Sequence, residues 1–228
     1  DKDNDNKGDD NQTGDDNNDN ASGGAIDIRP AADPSLTGVA EKLNTTDHRA
    51  YLHGYDDEIF GADRQMTRAE VAQMFYNLLL NQDVEITESF IDVTEDQWYA
   101  KAVNTLASMG IISGVGNEEF APDRMITRAE FVAIATRFAK ENTNGGLSFS
   151  DVSPDDWYYN AVLTAVNYGW IHGYEDGSFQ PDKVVTRAEV AVIVNYMLGR
   201  AADQAHVNQN ADEMKHFTDV DSSFWAYY

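Results

Sequence analysis

The 228-residue sequence has no cysteine, which excludes a disulfide framework. Basic residues are scarce, with 16 Lys and Arg against 40 Asp and Glu. The resulting formal charge of −24 argues against nucleic acid or an anionic lipid surface as partner. No run of 18 apolar residues occurs, so no transmembrane helix is expected, and the first residues do not read as a signal peptide. Large apolar side chains are missing from residues 1–20, which hold eight Asp, six Asn and two Lys. Such a segment cannot bury a core and is expected to be a disordered, self-repelling acidic linker. The spacing of Asp1, Asp3, Asp5 and Asp9 hints at a calcium loop. Asn6 and Gln12, however, stand where such a loop needs Gly and Glu, so no metal is expected. Gly23, Gly24, Pro30 and Pro34 extend the linker through residue 35. Opening inside a low-complexity tract, the chain reads as a fragment of a longer protein.

What remains is enough for a core, at 42% hydrophobic residues overall, and it is organised by repetition. Thr67-Arg68-Ala69-Glu70, Thr127-Arg128-Ala129-Glu130 and Thr186-Arg187-Ala188-Glu189 each lie thirteen residues after a glycine, namely Gly54, Gly114 and Gly173. After each box, apolar residues recur at helical spacing. They are Val71, Met74, Phe75, Leu78 and Leu79 in the first copy, and Phe131, Ile134, Ala135, Phe138 and Ala139 in the second. The third has Val190, Ile193, Val194, Met197 and Leu198. Each set forms one face of a helix. Thr67, Thr127 and Thr186 are the expected N-caps, and Glu70, Glu130 and Glu189 the returning acids of capping boxes.

The three Arg are not explained by capping, because the positive end of the helix dipole disfavours a cation there. Two readings stand. Each Arg pairs with a carboxylate on the surface, or it holds an anionic ligand together with the open amides of the helix N-terminus.

A second block recurs as Phe90-Ile91-Asp92-Val93, Phe149-Ser150-Asp151-Val152 and Phe217-Thr218-Asp219-Val220. Trp98, Trp157 and Trp225 follow each Phe by eight residues. Helical patterns after Trp98 and Trp157 end at Gly110 and Gly169, which suit the position just past a helix end. The three Trp either cap the core or stack on a sugar face. Asp92, Asp151 and Asp219 are open to three roles: ligand acceptor, turn cap or partner of a motif Arg. No Gly-x-Ser-x-Gly, His-Glu-x-x-His or phosphate loop is present. A unit of about 60 residues repeated at fixed internal spacing suits multivalent retention of a polymer better than a single asymmetric catalytic centre.

These blocks closely resemble the S-layer homology (SLH) domain family over roughly residues 48–228. The resemblance implies a mainly α fold, a pseudo-threefold bundle of helix-loop-helix repeats with short extended loop segments. It implies a non-catalytic cell-surface module, located at the bacterial cell wall, with no cofactor and a monomeric state for this fragment. The partner would be a cell-wall polysaccharide or peptidoglycan-linked polymer, in several family members one ending in pyruvylated N-acetylmannosamine. The ligand would lie in grooves between repeats, with Arg68, Arg128 and Arg187 against its carboxylate. The candidate contact set is those Arg with Trp98, Trp157, Trp225, Asp92, Asp151, Asp219, Gly54, Gly114 and Gly173. A module joining surface proteins through the same grooves is the alternative. The expected division is a linker at 1–35, repeats at 36–86, 87–145 and 146–200, and a linker plus orphan front half at 201–228. The first repeat lacks its own Phe-x-Asp-Val and Trp, and the orphan block is expected to fill that place. Glu58 and Glu118 replace the turn glycine, Val115 the loop Tyr and Ala62 the loop Pro. The two Glu are expected to burden the sites of Arg68 and Arg128, leaving Arg187 the most regular, exposed and dispensable for stability.

Overall fold

The computed structural model describes residues 31–47, 50–55, 58–200, 204–209, 212 and 216–227. The calcium-like spacing and residues 1–30 of the expected linker lie outside them. The described chain is mainly helical. Its elements are α1 (Pro34–Thr37), a 3-10 turn (Val39–Glu41), α2 (Arg68–Leu78), α3 (Ala100–Ser108), α4 (Arg128–Thr136), α5 (Tyr159–Asn167), α6 (Arg187–Met197) and α7 (Gln204–Gln209). Extended backbone occurs only as isolated bridges among the described residues.

The box helices α2, α4 and α6 start as the sequence indicates. In each, the Thr side chain accepts the N–H of the Glu three residues on, and that Glu accepts the Thr N–H. Met66, Ile126 and Val185 precede the caps, and Val71, Phe131 and Val190 follow at the fourth helical position. These are the places of a hydrophobic staple, and all six side chains are fully buried. The three segments are also tied to one another. Met66 N–H donates to Val185 O (3.2 Å), Val185 N–H to Ile126 O (3.2 Å), and Ile126 N–H to Met66 O (3.0 Å), a closed cycle of backbone bonds. The next amides continue it, with Arg68 N–H on Arg124 O, Arg128 N–H on Lys183 O and Arg187 N–H on Arg64 O. Amides that a helix start leaves open are thus used between copies. The apolar faces of α2, α4 and α6 are buried apart from Ala139, and Phe75 stacks on Phe131 and Phe138 at their centre.

Helices α3 and α5 pack against α2 and α4. Both close with a Schellman motif. Gly110 N–H reaches Ala107 O and Ile111 N–H reaches Leu106 O, while Gly169 and Trp170 do the same to Val166 and Ala165. Gly110 and Gly169 have φ of 70° and 69°, a conformation that costs a residue with a Cβ about 1–2 kcal/mol. The motif then turns Ile111-Ile112 and Trp170-Ile171 into the core.

Residues 31–35, assigned to the linker on composition, are held in place. Ala32 N–H bonds Tyr168 O, and Asp33 caps α1 through Ser35 N–H at 2.8 Å. The following stretch docks on α2 and α6. Asn44 N–H bonds Leu78 O, and the Tyr51 hydroxyl donates to Asn195 Oδ1 at 2.8 Å.

Thr186→Ala is expected to lower stability by about 1 kcal/mol in urea titration, since it removes the cap of α6 while leaving its apolar face intact.

Candidate functional site

The motif arginines define the site, and neither sequence reading describes them fully. Arg68, Arg128 and Arg187 are only 6%, 7% and 5% exposed. They are held chiefly by backbone carbonyls rather than by surface carboxylates. Arg68 donates from Nε to Phe120 O (2.8 Å) and from Nη2 to Ser113 O (2.7 Å). Arg187 donates to Phe60 O (3.0 Å) and His53 O (2.5 Å) in the same way. Arg128 reaches His172 O (2.9 Å) and stands 4.0 Å from Glu189 Oε1. Burial depresses the basicity of the Arg68 guanidinium, partly offset by the nearby Glu130 carboxylate.

This pairing corrects the expected assignment of loops. Each Arg serves the next copy's loop, in cyclic order. Glu118 therefore stands in the loop of Arg68, and Glu58 in the loop of Arg187. The loop with neither substitution belongs to Arg128. The expectation that Arg187 has the most regular site fails for the same reason, and the expectation that it is exposed fails because it is buried on the Phe60 and His53 carbonyls.

Behind each Arg lies a layered stack. The guanidinium of Arg68 lies over Phe120 (4.5 Å), which packs on Phe90 (5.4 Å between centroids). Arg128, Phe179 and Phe149 form the second stack, and Arg187, Phe60 and Phe217 the third. The Asp of each Phe-x-Asp-Val block seals the same loop. Asp92 accepts the amides of Phe120 and Ala121, and Asp151 those of Phe179 and Gln180, at 2.7–2.8 Å. Asp219 accepts Phe60 N–H (2.8 Å) and Gly61 N–H (2.6 Å), so the orphan block docks on the first loop as its counterparts dock on theirs. Of the three roles open to these Asp, loop capping is the one the geometry displays.

Two of the loop glycines, Gly114 and Gly173, sit where a side chain has no room. A Cβ on Gly114 would meet Glu119 O at 2.6 Å and the Phe90 ring at 2.8 Å, and one on Gly173 would run into Phe149 and Ser178 O.

The tryptophans face outward. Trp98, Trp157 and Trp225 are 63%, 68% and 48% exposed, whereas Trp170 is buried. Trp157 joins Arg68, Gly114, Val115 and Glu130 in lining a groove of about 350 Å³. The groove brings together three residues of the sequence-derived set, Arg68, Gly114 and Trp157. It also contains Arg124 and Arg137, which sequence reasoning missed. Their signal was available: Arg137 stands ten residues after Thr127, where the other copies have Asn77 and Tyr196. Among the described residues, no three His, Cys, Asp or Glu converge as a metal-ligand set. No helix there is long and apolar enough to cross a membrane.

Residues 89–132 and 148–191 each match the S-layer homology domain. Over 195 residues, 79% of its length, the chain is 32% identical to cell surface glycoprotein 1 of Acetivibrio thermocellus. It is 29% identical over 201 residues, 83% of its length, to the cellulosome-anchoring protein of the same organism. It is 34% identical over 162 residues, 68% of its length, to an amylopullulanase of Thermoanaerobacterium thermosulfurigenes. The chain spans only 8%, 43% and 9% of these relatives' respective lengths.

Two outcomes follow from this geometry. Arg187→Ala leaves two carbonyls without their donor and is expected to cost about 2–4 kcal/mol in chemical denaturation, of which Lys restores only part. The second concerns acid. Burial alone would raise the Glu189 carboxyl, but Thr186 N–H, Lys183 and Tyr174 outweigh it and hold it below the ordinary value of 4.5. A folded-state value beneath the unfolded one stabilises the fold fully above pH 4.5, and that contribution is lost as pH falls through the lowered value. Below pH 4.5, Glu189→Gln should therefore lose less melting temperature than the parent chain.

Proposed function

We propose that the chain is a non-catalytic anchoring module of a bacterial cell surface. In this reading it consists of three S-layer homology repeats, at 36–86, 87–145 and 146–200, set around a pseudo-threefold axis. The block at 217–227 supplies the front half that the first repeat lacks. The ligand is a secondary cell-wall polymer, with a pyruvyl carboxylate or similar group against the motif arginines in inter-repeat grooves. Trp98, Trp157 and Trp225 offer faces for sugar rings. Asp92, Asp151, Asp219, Gly54, Gly114 and Gly173 shape the loops against which the ligand rests.

The observation that carries this reading is the groove in which Arg68 and the outward-facing Trp157 meet. An apolar aromatic face at 68% exposure beside a cation is the pairing that a sugar acid requires. Relatives named as a cell surface glycoprotein, a cellulosome-anchoring protein and an amylopullulanase share this stretch, while it makes up only 9% of the amylopullulanase. That distribution supports a portable attachment unit whose catalytic or structural partners lie elsewhere. Acidic at −24 overall, the chain must bind an anionic polymer through short-range directional contacts rather than by long-range attraction.

Co-sedimentation with purified cell-wall sacculi tests this. The chain should pellet with walls that carry the polymer, should remain in solution with walls stripped of it, and should lose little binding between low and physiological salt. Binding to a surface protein without binding to walls would identify a protein-joining module instead.

A further inference from the structure

The three Arg sites are built alike at their base but differ at their mouths. In the first loop, Tyr55 lies under both Arg187 (4.8 Å) and Arg64 (4.0 Å). In the third, Tyr174 lies under Arg128 (5.2 Å) and Lys183 (4.8 Å). There the cation is also consumed internally, since Lys183 Nζ bonds the Tyr174 hydroxyl and Glu189 Oε1, both at 2.9 Å. The second loop has Val115 in place of the tyrosine, a residue that is 47% exposed. Among the described residues no tyrosine lies over Arg68, and the space opens as the groove of about 350 Å³.

The same groove has more positive charge than the sequence pattern of its counterparts supplies. Arg124 takes the place of Arg64 and Lys183. Without a tyrosine to lie on, it pairs with Glu130 (2.7 Å) at the groove wall. Arg137 adds a cation that the other copies do not have. It is anchored by Nη1 to Ile111 O (2.8 Å) and at longer range to Ser113 Oγ (3.5 Å), while its Nε and Nη2 make no hydrogen bond among the described residues. Three guanidiniums against one carboxylate leave two net positive charges, on a chain of net charge −24. A volume of this size lies within the range of small-ligand sites, about 300–1,000 Å³. A single carboxylate at Arg68 would leave one net positive charge, shared by Arg124, Arg137 and Glu130, facing the rest of the ligand.

We infer that the groove at the second loop selects a glycan with two anionic groups. One sits at Arg68 and the second, on the neighbouring sugar, at Arg124 and Arg137, with a sugar ring on Trp157. This rests on the glycan-anchoring reading and adds that Arg137 determines specificity. The second group is a carboxylate or a phosphate ester, since a guanidinium fork receives either.

Two disaccharide probes test it by calorimetry on the intact chain. Both have pyruvylated N-acetylmannosamine at one end; the second sugar is glucose in one and glucuronic acid in the other. The uronate probe should bind at least tenfold more tightly. Arg137→Asn, the residue of the first copy, should bring the two probes to equal affinity, a ratio that any loss of stability from the missing Ile111 O contact leaves unaltered because both probes meet the same folded fraction. A phosphate ester in place of the uronate should behave like it if either group is accepted. Equal affinity for the two probes in the parent chain, or a preference that survives in Arg137→Asn, overturns the inference while leaving the anchoring reading intact. If neither probe binds, the inference falls along with the pyruvylated ligand, and co-sedimentation with sacculi then decides the anchoring reading separately.

Discussion

A buried guanidinium bonded to main-chain carbonyls is the contact on which the rest of this architecture depends. A loop that turns back sharply leaves carbonyls pointing inward, and each inward carbonyl needs a donor. Arginine supplies several donors in a fixed plane and keeps its charge when desolvated, so one side chain can satisfy two carbonyls of a loop it does not belong to. Here the donor comes from the first turn of one helix and the acceptors from the loop before the next. The helix dipole opposes a cation at that position, which means the carbonyl bonds must outweigh it. The arrangement makes each copy a structural component of its neighbour's loop.

From this follows a division of labour within the Thr-Arg-Ala-Glu box. Thr and Glu fix where the helix begins, Ala lets the neighbouring chain come close, and Arg reaches outward to join copies. The Asp of the Phe-x-Asp-Val block works from the opposite side of the same loop, presenting its oxygens to amides while Arg presents its nitrogens to carbonyls. Between them the loop is held at both ends, and the aromatic rings fill the space beneath. The outward tryptophans take no part in this clamp, which frees them for contact with something else.

Much of the fold was legible in the sequence because it rests on local chemistry. Capping boxes, Schellman glycines and the period of the buried residues are all set within a few positions of one another. What the sequence hid was non-local. A hydrogen bond from Arg68 to the carbonyls of Ser113 and Phe120 has no sequence signature, since every residue has a carbonyl. The cyclic hand-over of arginines between loops was invisible for that reason, and the loop substitutions were weighed against the wrong arginines. Residues 31–35 read as linker because their composition is that of one; their order comes from the surface of α5 and from a single Asp cap. The groove was half legible. Arg68, Gly114 and Trp157 stood out by repetition, whereas Arg124 and Arg137 became meaningful only when Val115 was seen to leave them room.

The docking of Asp219 on the first loop sets the order in which the chain can mature. Its acceptor oxygens and the amides of Phe60 and Gly61 are separated by almost 160 residues. Closing so wide a span has an entropic cost that local contacts do not share, and contacts of this kind slow folding. During synthesis the first loop waits without its cap until residue 219 has emerged, while the loops sealed by Asp92 and Asp151 are complete much sooner. The first loop is therefore the last of the three to receive its Asp cap.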